Sequence, residues 1–95
     1  MKPRINKTVY TLYRDTITKT KVEFLGETSF LTECWREYQV GFEYEYDLYN
    51  VTWFTSLAKA KKYVMDCLDE EEKKKVTWHQ FSTNDYWELV YKEGK

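Results

Sequence analysis

Apolar and polar positions alternate with a period of two along most of this chain, and a period near 3.6 takes over once, after residue 55. Strand side chains point to opposite faces in turn, whereas helical ones return to the same face every three or four residues. Lys7 to Arg14 (KTVYTLYR) is β-branched and aromatic, Asp15-Thr16 offers a turn, and Ile17 to Leu25 (ITKTKVEFL) continues in the same character; together they predict a hairpin. Gly26 to Ser29 predicts a second turn, and Leu31 to Tyr38 a third strand with poor alternation. The clearest strand is Val40 to Leu48. Phe42, Tyr44, Tyr46 and Leu48 fall on one face, and Glu43, Glu45 and Asp47 on the other. That is the pattern of an antiparallel strand with one side on a core and the other in water. Tyr49-Asn50 then turns the chain into a short strand, Val51 to Phe54.

Thr55 or Ser56 can cap a helix by accepting a hydrogen bond from an amide of its first turn. Leu57, Ala60, Val64, Cys67 and Leu68 recur at helical spacing, with Tyr63 at the edge of the stripe, and predict a helix over about 56–75. Its end is charged but ordered in sign: Asp69–Lys73, Glu70–Lys74 and Glu71–Lys75 are acid-to-base pairs in the favoured i,i+4 direction. Val76 to Ser82 and Tyr86 to Lys92, joined by Thr83-Asn84-Asp85, predict a closing hairpin. The expected fold is a single α+β domain over residues 1–95: a mainly antiparallel sheet of five to six strands with one main helix on one face.

Composition changes this picture in one respect. The 95 residues carry 4 Trp, 9 Tyr and 5 Phe, a dense supply of large rings for a small core. Five or six strands at about 4.8 Å spacing span roughly 24–29 Å, whereas a helix with its side chains is about 10–12 Å across. One helix cannot cover such a sheet if it is flat. Rings then stay exposed unless the sheet curls or another chain covers them, and exposed rings concentrate at protein interfaces.

Charge is balanced in total, at −1, but not along the chain. Residues 1–25 hold Lys2, Arg4, Lys7, Arg14, Lys19 and Lys21 against Asp15 and Glu23; residues 26–50 hold Arg36 against six acids. A balanced total argues against a dedicated nucleic-acid binder, which needs a basic face. Nor does any apolar run approach the roughly 18 residues of a membrane-spanning helix. With no apolar segment of the signal-peptide kind after the charged start, the expected compartment is the cytoplasm, where Cys34 and Cys67 are expected as small reduced core residues.

Little in the sequence points to catalysis. His79 is the one histidine and sits in an aromatic strand; no metal-ligating or phosphate-cradling motif is present, so neither a cofactor nor a metal is expected and the chain is not read as an enzyme. Glu43, Glu45 and Asp47 form an acidic stripe suited to a basic partner or to guarding a sheet against aggregation.

Trp53 to Val64 (WFTSLAKAKKYV) resembles the strand-to-helix junction of small accessory proteins of phages and mobile elements. The resemblance implies a protein that acts by binding a host factor, sometimes as an inhibitor, or that sequesters a small nucleotide. It carries over no functional residue. The leading expectation is a non-enzymatic interaction module, a homodimer among its candidate states, binding through Glu43, Glu45, Asp47, Tyr49, Trp78 and Trp87. The alternative is a small-ligand binder in which rings stack on a base and Lys59 or Lys62 meets a phosphate.

Overall fold

A computed structural model describes residues 2–32, 43–80 and 85–92. It is α+β, with antiparallel pairing throughout its named strands. The elements run β1 (Thr8–Tyr13), β2 (Thr16–Leu25), β3 (Ser29–Thr32), β4 (Glu43–Glu45), a 3-10 turn (Tyr46–Leu48), β5 (Trp53–Phe54), α1 (Leu57–Asp66), α2 (Glu70–Lys75), β6 (Val76–Gln80) and β7 (Tyr86–Tyr91).

Ten-residue β2 is the spine. One side of it pairs with β1; the other pairs with β7 over Thr16–Thr18 and with β3 over Val22–Leu25. The order β4-β3-β2-β1-β5 puts two strands that are close in sequence at opposite ends of one path. Only the 3-10 turn and a short loop link β4 to β5, so the sheet must roll until its ends approach. The indole of Trp53 on β5 donates to the carbonyl of Glu45 on β4 (2.9 Å), fastening the two ends of this half-barrel.

The curl gives the sheet two cores. Inside the roll, Val9, Val22, Phe30, Tyr46 and Trp53 are buried together. Phe30 stands edge-on to Trp53 at 5.0 Å and stacks with Tyr46 at 6.0 Å, geometries that suit the ring quadrupole. Outside it, α1 covers Ile17, Phe54 and Trp87 with Ala60, the small residue that lets the helix approach. Rolling resolves the expected surplus of rings: most of the described ones lie in or against one of these cores.

The helix expected over 56–75 divides in two. Ser56, in extended conformation, accepts from the Lys59 amide (3.1 Å) and starts α1; Cys67 caps its end. Asp69 then leaves helical geometry and accepts from the Glu72 amide (2.8 Å), starting α2. An aspartate gains more by capping than by sitting inside a helix, so Asp69 interrupts the helix instead of pairing with Lys73. Glu70 pairs with Lys73 instead (3.3 Å), and Lys62 with Asp66 (2.8 Å), which holds the Asp66 carboxyl below its ordinary range. Cys67 is exposed, a correction to its expected place in the core, because α1 stops at Asp66 and the stripe stops with it. Cys34 lies outside the described residues, as do parts of the strands expected over 31–38 and 40–48 and the turn of the closing hairpin. Ser56→Ala is expected to cost about 1 kcal/mol in urea unfolding, with Ser56→Asp restoring the cap.

Candidate functional site: the outer face of β2, β3 and β4

A register shift sets this face. Val22 pairs with Thr32 but Phe24 with Leu31, so Glu23 is an extra residue on β2. Two residues against one is a β-bulge, and it reverses which face the following side chain takes. Val22 points into the roll with Thr32; Phe24 points out with Leu31 and is 59% exposed. After the bulge, Leu25 packs against the inner core.

The outer face then builds itself by pairing, since directly opposed residues share a face. Leu31 is opposite Glu43, and Ser29 opposite Glu45. Both glutamates are exposed, and the Ser29 hydroxyl donates to Glu43, orienting that carboxylate. Lys19 and Lys21 lie on the outer face of β2 before the bulge, both exposed. The result is an exposed phenylalanine with a half-buried leucine beside it, lysines on one side and glutamates on the other. Among the described residues, no ion pair engages any of these four charges.

The expected site residues separate under this geometry. Glu43 and Glu45 belong to the face, and Asp47 is exposed on the 3-10 turn. Tyr49 is half-buried: its ring lies 4.7 Å from that of Trp53 and its hydroxyl meets Thr55 (3.1 Å). Trp78 is half-buried against the outer core, under the Lys61 ammonium at 5.7 Å. Trp87 is a correction. It is 7% exposed, opposite Ile17 and packed with Phe54 and Ala60, because α1 covers its face of the sheet. Sequence reasoning missed Phe24: Val22, Glu23 and Phe24 alternate regularly, and the signal was the adjacent apolar pair Phe24-Leu25, which a regular strand cannot put on one face.

Where the roll stays open, a cleft of about 440 Å³ is lined by Leu12, Tyr13, Tyr44, Leu48 and Thr52 with Glu43 and Glu45 at its side. Lys59 and Lys62 lie on α1 and do not line it. Burial raises the Tyr44 phenol above its ordinary range, partly offset by a hydrogen bond with Thr11. A raised phenol stabilises the fold while protonated. That contribution is intact below the ordinary tyrosine value of about 10 and is lost as pH rises through the higher folded value. Ultraviolet titration should show late-ionising tyrosine absorbance that falls by one residue in Tyr44→Phe, while Tyr91, raised by its hydrogen bond to Glu72, still ionises late.

His79 stands on β6 opposite Glu88, and no group of three or more metal-ligating residues occurs among the described residues. No helix among them is long and apolar enough to cross a membrane. No family model matches the chain, and comparison with curated proteins and with solved structures finds no match.

Proposed function

We propose that this protein is a non-enzymatic interaction module whose docking surface is the outer face of β2, β3 and β4. The observation that carries the reading is Phe24. In a domain that packs most of its described rings into two cores, this one is turned outward by a bulge and set beside Leu31 between charged groups. An exposed ring with an apolar neighbour inside a charged rim has the arrangement of an interface core and its polar border. The matching partner presents an apolar side chain next to a basic one, which would meet Glu43 and Glu45. If the resemblance over residues 53–64 reflects origin, the module would act as a phage-type modulator by occluding such a surface on a host protein.

The test uses a short peptide alternating lysine with leucine and phenylalanine, titrated into the labelled protein and followed by amide NMR. Saturable shifts centred on residues 24, 31, 43 and 45, absent with a glutamate version of the peptide, are expected. Shifts centred on α1, or no saturable shift, would contradict the reading.

The open cleft favours a second reading, a small-ligand binder. Two carboxylates and two tyrosines among its lining residues suit a cationic aromatic amine better than a nucleotide, whose phosphate would face acids. A thermal-shift comparison of aromatic amines with nucleotides decides it: stabilisation by amines alone supports the cleft, and stabilisation by nucleotides alone would return the alternative to Lys59 and Lys62.

A further inference from the structure

We infer that the partner for this face is a second copy of the same chain, docked about a two-fold axis through Phe24. The inference rests on the docking reading above and names its occupant. A two-fold interface must be self-complementary, because if residue i meets residue j across it, j also meets i. For a charged patch this requires two opposite charges at equal distances from the axis.

The face meets that requirement. Lys21 lies three residues before Phe24 on β2, but the bulge at Glu23 takes up one of them, so the two are roughly 7 Å apart for about 3.3 Å per residue. Glu43 lies two strands away from Phe24 through Leu31, at roughly 9 Å across the curled sheet for about 4.8 Å per strand, a difference that the longer lysine side chain spans. One arm runs along the strand and the other across it. An axis in the plane of the face, passing through Phe24 and bisecting the two arms, exchanges them. It sets Lys21 of each copy against Glu43 of the other and stacks the two Phe24 rings at the centre, with Leu31 beside them. The bond from Ser29 holds Glu43 in place, so less side-chain freedom is lost on docking. The charges of the first and second quarters of the sequence thus find each other between copies, since among the described residues no ion pair joins them within one.

A patch of this extent is at the small end of specific interfaces, below about 1,200 Å² of total buried area. Association should therefore be weak, with Kd between about 1 µM and 1 mM, and should loosen as salt screens the rim pairs.

Light scattering and sedimentation over that concentration range test the proposal. The wild-type chain is expected to move from monomer to dimer. Lys21→Glu and Glu43→Lys each place like charges together twice across the axis and should weaken self-association about tenfold or more. Mixed in equal amounts, the two variants should recover a heterodimer, because one chain then carries acids and the other bases at both positions and both cross-axis pairs are of opposite charge. Circular dichroism checks that both variants fold, and Glu45→Lys, which leaves the Ser29 bond intact, is a second acidic-side variant. A wild-type chain that stays monomeric, a dimer indifferent to either swap, or a mixture that fails to associate would each overturn the two-fold arrangement. The docking reading survives a monomer if the lysine peptide still maps to Phe24, and falls separately if it does not.

Discussion

Trp53→Ala should cost about 3–5 kcal/mol of folding stability, the range for deleting a large ring from a packed interior. Trp53 is fully buried, stands edge-on to Phe30 and contacts the Tyr49 ring, and its indole is what ties β5 to the carbonyl of β4. The substitution removes both the filling of the roll and its fastening. Net stabilities of small domains run to about 5–15 kcal/mol, so the variant should be close to unfolding at room temperature. With a urea slope of about 1.5 kcal/mol/M, its midpoint should fall by about 2–3 M. Trp53→Phe keeps most of the ring volume but leaves the Glu45 carbonyl without its donor, and a smaller loss of about 1–2 kcal/mol is expected. A cost below about 1 kcal/mol for the alanine variant would mean that the roll does not depend on this ring.

Trp87→Ala should be nearly as damaging, at about 3 kcal/mol or more, for a different reason. Trp87 fills the space between the sheet and α1, opposite Ile17 and against Phe54 and Ala60, with Tyr10 at 6.1 Å. Its loss undercuts the seat of the helix, so helical circular dichroism should begin to melt before the strand signal. From sequence, Trp87 was a candidate for a surface contact, which alanine would weaken without unfolding the domain. The structure places it where alanine unfolds the domain instead. Unfolding followed by both signals separates these outcomes, and a Trp87→Ala domain of wild-type stability would refute the burial.

What the sequence made legible and what it hid follow from one physical fact. Periodicity reports which residues share a face; it does not report what covers that face. The alternation from Glu43 to Asp47 placed the acids outward and Tyr44 and Tyr46 inward, as the structure has them. The capped helix after Ser56 was legible because its signals are local, whereas its interruption turned on whether Asp69 caps or pairs. The roll was hidden, because strand widths add up only for a flat sheet, and the link between β4 and β5 bends this one. Phe24 was hidden by the bulge. Unbroken alternation would have put it inside with Val22, and one extra residue at Glu23 turns it out.

Most described rings lie in or against two cores, Tyr13 and Tyr91 stand exposed at strand ends, and Phe24 is turned outward by the bulge; Phe24→Ser tests that placement most directly. Its urea midpoint and its binding of the lysine peptide should be measured on the same sample. Stability within about 0.5 kcal/mol of wild type, as for an exposed position, together with loss of peptide binding, is the predicted result. Loss of stability on the scale of Trp53→Ala, or full stability with peptide binding unchanged, would contradict it.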